Sequence, residues 1–206
     1  KGGVGKTTTA VNLAAGIGKM SKKVLIVDAD PQGNTTSAYG IDKRKLNVSV
    51  YDLLIGKSKA ENAIIKTAFS GVDVIPCNMN LAGAEVELIS LNNREAQLKN
   101  ALCLVKPNYD YIFIDCPPSL GLITINALCA SDSVLVPIQC EYFALEGLSQ
   151  LIGTVRQVKR LFNPLIEIEG IVLTMFDGRL NLTQQVVGEV KKFFKNELFS
   201  TTIPRA

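Results

Sequence analysis

No histidine and no tryptophan occur among the 206 residues. The missing histidine excludes Ser-His-Asp and Cys-His catalysis, imidazole-ligated zinc and a histidine general base. The missing tryptophan carries no functional consequence. Five cysteines (Cys77, Cys103, Cys116, Cys129 and Cys140) form no C-x-x-C pair. Most sit in apolar runs and read as reduced, buried thiols of a cytosolic protein. No run of about 18 apolar residues encodes a membrane span, and no secretory signal is expected at the start of the chain. The charge is nearly balanced, with 22 Lys and Arg against 19 Asp and Glu, a net of +3. A total that small does not argue for nucleic acid.

What is present is an ordinary globular composition, 47% apolar and 20% charged, which excludes disorder. The length suits one sizeable core and is short for two ordinary domains. Short β-branched runs are read as strands at 23–28, 72–76, 111–115, 133–137 and 168–173. Near-continuous apolar strands are buried on both faces, which implies a parallel sheet covered by helices. Helices are expected at about 6–20, 81–90, 94–105, 122–130, 145–162 and 182–194. The stretch from Leu145 is apolar at 145, 148, 151, 152, 155, 158, 161 and 162, a period near 3.6. Residues 41–70 are less regular and read as a small helical excursion over the sheet edge. The alternation predicts a single doubly wound α/β domain over 1–206, with a mostly parallel sheet and helices on both faces.

The chain begins with Lys-Gly-Gly-Val-Gly-Lys-Thr-Thr-Thr, followed at once by a helix-forming segment. Gly2, Gly3 and Gly5 let backbone N–H groups close around phosphate oxygens, because no Cβ intervenes. The helix N-terminus adds unpaired donors and a positive dipole end. Lys6 would reach the β- and γ-phosphates and the Thr7 hydroxyl would ligate Mg²⁺. A dinucleotide fingerprint fails, since its third glycine would fall on Thr8. A glycine-rich loop normally follows a strand. The expectation is therefore a domain truncated at both ends, lacking its central first strand, whose two neighbours would be left without partners. The 206 residues by themselves are then expected to fold poorly.

Asp115 ends the run Tyr-Ile-Phe-Ile-Asp, the Walker B arrangement, which would hold Mg²⁺ through water. Asp28 and Asp30 lie in Val-Asp-Ala-Asp-Pro-Gln-Gly-Asn (27–34), where Pro31 and Gly33 mark a turn leaving a strand. Asp28 either supports the magnesium shell or shapes the turn. With no histidine, a carboxylate or an ordered amide must orient any attacking water.

Lys1 at the start of the loop, with these carboxylates, resembles the deviant Walker A ATPases, the superfamily of ParA/Soj partition proteins, MinD and the nitrogenase iron protein. The segments at 30–37, 115–121, 137–147 and 203–205 look like its chromosomal ParA/Soj branch. The resemblance spans essentially the whole chain. It implies that ATP is bound by Lys1, Gly2, Gly3, Val4, Gly5, Lys6, Thr7 and Thr8, with Pro204 against the base. Lys1 would be the signature lysine that crosses a dimer interface, and Asp30 would position or activate the attacking water. Lys1, Lys6 and Asp30 would thus be catalytic, and Thr7 and, through water, Asp115 would serve the metal. Residues 115–121 would be the switch II segment, and Arg179 would match a DNA-contacting arginine, with Lys191, Lys192 and Lys195 on the next helix. Ala206 stands where the family usually has asparagine.

The implied activity is slow, Mg²⁺-dependent, partner-stimulated ATP hydrolysis. The implied partners are a second copy of the chain in an ATP-driven sandwich dimer, non-specific DNA and a ParB-type protein that resets the dimer, in chromosome or plasmid segregation. The setting would be cytoplasmic and nucleoid-associated, with no membrane. The alternatives are a membrane-cycling MinD-like ATPase, whose mark is a C-terminal basic amphipathic helix, and an electron-transfer ATPase of the iron-protein type with cysteine-held clusters.

Overall fold

The computed structural model describes residues 2–142 and 144–205. Lys1 and Ala206, both singled out above, lie outside the described residues. The chain divides into two compact units, one made of 1–6 with 132–206 and the other of 7–131. The boundary near the start falls in the first turn of α1 (Lys6–Lys19).

In the larger unit, β1 (Val24–Asp28), β2 (Ile65–Lys66), β3 (Val72–Ile75) and β4 (Tyr111–Asp115) form a sheet of order β2-β3-β1-β4. β1 pairs in parallel with both β3 and β4, and only β2 runs antiparallel. β1 is buried at every position, and its side chains alternate between two clusters. Leu25 and Val27 pack with Leu53, Leu54, Leu81, Leu88, Leu98 and Ile123 on one face. Val24 and Ile26 pack with Ala14, Tyr39, Val72 and Val74 on the other. Helices therefore cover both faces, as the apolar strand pattern requires. Each fully buried Leu, Ile or Val contributes on the order of 1.5–3 kcal/mol.

Helix α1 approaches β3 closely at Gly18, where a Cβ would lie 2.5 Å from the Ser70 carbonyl oxygen. Residues 34–63 form three short helices, α2 (Asn34–Ala38), α3 (Val50–Leu54) and α4 (Ala60–Ala63). The excursion expected over 41–70 thus ends in the edge strand β2. α5 (Leu81–Leu88), α6 (Gln97–Leu102) and α7 (Leu122–Ala130) complete this unit. α6 stops three residues short of its expected end, so Cys103 is its exposed C-cap and not a buried mid-helix thiol. Cys116 is half-buried, whereas Cys77, Cys129 and Cys140 are buried as expected.

In the smaller unit, β5 (Ser133–Gln139), β6 (Glu167–Phe176) and β7 (Leu198–Pro204) form a parallel sheet of order β5-β6-β7. α8 (Ala144–Leu161) and α9 (Asn181–Phe193) pack on it through Leu148, Ile152, Val186 and Val190. The apolar stripe of α8 is buried as far as Val158, but Leu161 and Phe162 face solvent.

The strands expected in one sheet thus occur in two. Among the described residues, no strand pairs with the second edge of β4 or of β5. That explains why Ile112, Phe113 and Ile114 are only half-buried and why Pro137, which has no N–H to donate, is accommodated in β5. β7 had no counterpart among the expected strands, because Phe-Ser-Thr-Thr-Ile is mostly polar and lies on an edge.

Candidate functional site

Gly3 and Gly5 have φ of +73° and +85°, backbone that L side chains rarely adopt. Gly2 and Gly3 are exposed, and an added Cβ at either would meet only open space. The loop is pinned from β6. The Thr174 hydroxyl lies 2.8 Å from the Val4 carbonyl oxygen and 3.1 Å from that of Ile138, sharing its one proton between them. Thr174 was not singled out by sequence. Its signal is a lone hydroxyl in the apolar run Ile-Val-Leu-Thr-Met (171–175). Met175 follows it at φ +49°, an uncommon backbone for methionine, where the β6–β7 register shifts.

In the larger unit, Asp28 and Asp115 end adjacent parallel strands and stand opposite each other in register. Both are buried. Asp28 Oδ2 accepts hydrogen bonds from the Thr36 N–H (2.7 Å) and the Thr36 hydroxyl (2.6 Å), and Oδ1 accepts one from the Asp30 N–H (3.3 Å). The Thr36 hydroxyl also accepts from the Cys77 N–H at 2.9 Å. Burial, with a smaller contribution from the Asp115 charge, pushes the Asp28 carboxyl up to about 6, against the pull of the Thr36 hydrogen bonds. Asp115 Oδ2 accepts from the Thr35 hydroxyl at 2.8 Å, and its carbonyl oxygen accepts from the Ala29 N–H, also at 2.8 Å.

Asp30 sits in the turn that leads into α2. One of its carboxylate oxygens accepts from the Gln32 N–H (3.0 Å), and its carbonyl accepts from the Gly33 N–H (2.8 Å). Gly33 has φ +63°, and a Cβ there would lie 2.9 Å from the Cys77 carbonyl oxygen. The Asn-Thr-Thr-Ser of 34–37 was read only as part of a family motif. The structure gives its two threonines a direct hold on both strand-end carboxylates.

Other expected site residues belong to the smaller unit. Pro204 ends β7 and is exposed. Arg179 is exposed, and its guanidinium grips Asp177 in its own turn at 2.8 and 2.6 Å. That pairing holds the Asp177 carboxyl down at about 2. Lys191 and Lys192 lie on the last turn of α9, whereas Lys195 lies beyond it.

Among the described residues, no group of three or more His, Cys, Asp or Glu could hold a metal ion. A cation here must draw on phosphate oxygens and water as well as protein, which is how Mg²⁺ is ordinarily bound. An exposed glycine loop ahead of a helix is the kind of backbone that takes phosphate. No helix among the described residues is long and apolar enough to cross a membrane. An open cleft of about 520 Å³ at the opposite, N-terminal ends of β1 and β3 is lined by Lys23, Lys66, Phe69 and Tyr109. The Tyr109 hydroxyl there is taken up by Asp73 at 2.8 Å.

A mostly parallel α/β fold with a glycine phosphate loop and Asp-terminated strands defines the class, a P-loop nucleotide-binding protein. The comparisons narrow that class. A family model described as an AAA domain matches residues 1–168. The sporulation initiation inhibitor protein Soj of Bacillus subtilis (strain 168) is 57% identical over 205 residues, covering 100% of this chain and 81% of that protein. The chromosome partitioning protein ParA of Myxococcus xanthus (strain DK1622) is 50% identical, covering 100% and 72%. A crystal structure described as cobyrinic acid a,c-diamide synthase from Mycobacterium smegmatis, with bound ADP and magnesium, superposes with a TM-score of 0.94 at 38% identity, covering 100% and 84%. The chain belongs to the Soj/ParA family of P-loop partitioning ATPases.

Proposed function

We propose that the chain acts as one ATPase domain that binds Mg²⁺-ATP and hydrolyses it slowly, as the timer of a partitioning cycle. The observation that carries this reading is the loop itself. Gly2 and Gly3 are exposed and Thr174 pins the loop, within a sequence 57% identical to Soj. The Mycobacterium smegmatis relative, with its bound ADP and magnesium, supports the choice of ligand.

In this reading Gly2, Gly3, Val4 and Gly5 present N–H groups to the phosphates, and Lys6 neutralises the β- and γ-oxygens. Thr7 and Thr8 begin the helix behind them, and the Thr7 hydroxyl serves the metal. Mg²⁺, when bound, offsets charge developing on the phosphates. Asp115 orients the metal's water shell, and Asp30 orients the attacking water. Lys1 belongs to the phosphates of a partner copy, and Pro204 to the adenine.

The finer reading is an ATP-dependent homodimer that holds DNA without sequence preference, partly through Arg179. A ParB-type protein resets it by stimulating hydrolysis, in a cytoplasmic, nucleoid-associated setting. The Asp177 pairing makes Arg179 a cation that must exchange a carboxylate for a DNA phosphate. The exposed ion pair is worth little in water, so the exchange is inexpensive.

The test measures ATP turnover alone, with DNA, with a ParB-type protein, and with both. Turnover is expected to depend on Mg²⁺ and to rise with the partner and DNA together. ATP-independent DNA retention, or no turnover under any condition, contradicts the proposal.

A further inference from the structure

Thr35 is fully buried, and its hydroxyl donates to the carboxylate of Asp115 at 2.8 Å. The next residue, Thr36, ties the same short helix to Asp28 and to the Cys77 N–H. The chain leaves β1 with the Ala29 N–H bonded to the Asp115 carbonyl, passes through the Asp30 turn, and returns at Thr35 to the Asp115 side chain. Residues 29–35 are thus a closed loop with Asp115 at both ends. Gly33 fixes its tightest point, held at φ +63° against the Cys77 carbonyl.

We propose that Thr35 is a positioning residue that links the turn bearing Asp30 to the carboxylate of Asp115. A hydroxyl donor on one carboxylate oxygen fixes the rotamer of the carboxylate that, in the ATPase reading, serves the metal's waters. Because the turn bearing Asp30 runs directly into α2, which carries the Thr35 donor, the bond ties that turn to the end of β4. The loop amides of residues 2–5 have no part in this link. Losing a partner that orients a metal-side carboxylate commonly costs about 10–100-fold in metal affinity or activity.

The inference rests on the ATPase reading for its metal, and the test separates the two. Thr35→Val keeps the volume and removes the donor, whereas Thr35→Ser keeps the donor. In the full protein, Thr35→Val is expected to raise the Mg²⁺ concentration for half-maximal ATP turnover by about 10-fold or more. Turnover at saturating Mg²⁺ should change less, and ATP affinity measured without Mg²⁺ should be unchanged. Thr35→Ser should restore the wild-type requirement. Independently of turnover, amide hydrogen exchange over 29–38 without nucleotide or metal should quicken by about 10-fold in Thr35→Val. It should stay near wild type in Thr35→Ser. An unchanged Mg²⁺ requirement, equal losses in both variants, or unchanged exchange overturns the proposal. If the wild type hydrolyses no ATP, the ATPase reading falls, and the exchange comparison alone still decides whether Thr35 holds the turn.

Discussion

Replacing Thr36 by valine tests the buried network around Asp28 through its dependence on pH. The wild-type hydroxyl does two things at once, donating to the Asp28 carboxylate at 2.6 Å and accepting from the Cys77 N–H at 2.9 Å. Asp28 and Cys77 are fully buried, so water does not replace either bond. The loss of a hydrogen bond to a charged group costs about 1.5–3 kcal/mol, and an orphaned buried N–H about 1–3 kcal/mol. The two costs differ in their pH dependence. The Asp28 carboxyl is raised from 3.8 to about 6. The native state therefore holds this proton more tightly than the unfolded chain does.

The Asp28 contribution to stability is thus most favourable below about pH 4. It declines as pH rises from 3.8 towards 6, by about 3 kcal/mol in all, and is level above. In Thr36→Val the charged carboxylate loses its best donor, so this decline extends above pH 6 and grows in total. At pH 7.5 the variant should be about 3–5 kcal/mol less stable than wild type. At pH 5, where Asp28 is mostly protonated, the deficit should shrink to about 1–3 kcal/mol. Urea unfolding without nucleotide or Mg²⁺ at both pH values reads this directly, with Thr36→Ser as the control that keeps both bonds. An equal deficit at pH 5 and 7.5, or a serine variant as unstable as the valine, would refute the reasoning.

Three further expectations follow from the same structure. Thr174→Val removes the shared donor that pins Val4. It should weaken ATP binding by about 5–10-fold in a titration, corresponding to about 1–1.5 kcal/mol, while Thr174→Ser stays near wild type. Asn126 is fully buried and joins α7 to the start of α6, accepting from the Leu98 N–H and donating to the Arg94 carbonyl. Asn126→Leu should therefore cost about 2–4 kcal/mol in urea unfolding. Arg179→Ala should weaken DNA retention and lower the salt dependence by about one counterion per site, with ATP turnover in the absence of DNA unchanged.

Much of the fold was legible because buried parallel strands are written as unbroken apolar runs. β1, β4 and α7 fall within a residue of where the pattern placed them. The helical excursion expected over 41–70 holds α3 and α4, but α2 and the strand β7 were not expected, since their stability comes from packing and edge pairing and not from periodicity. The burial of Cys103 was misread because an apolar neighbourhood in sequence does not say where a helix ends. Arg179 was legible as a cation but not as one already paired with Asp177.

The phosphate loop was determined by sequence alone. Glycines at those positions, then Lys6 and Thr7 opening a helix, specify a local backbone whose chemistry needs no distant partner. Only the tertiary structure decided what holds that chemistry in place. Thr174 lies about 170 residues from the loop it pins, and Thr35 lies 80 residues from the carboxylate it orients. Such contacts leave no trace in local spacing, because hydrogen bonds between buried hydroxyls and strand ends depend on sheet register and on which face a strand turns inward. The raised Asp28 carboxyl has the same origin, since it follows from burial, which the sequence of β1 implies for its apolar residues but not for the acid at its end.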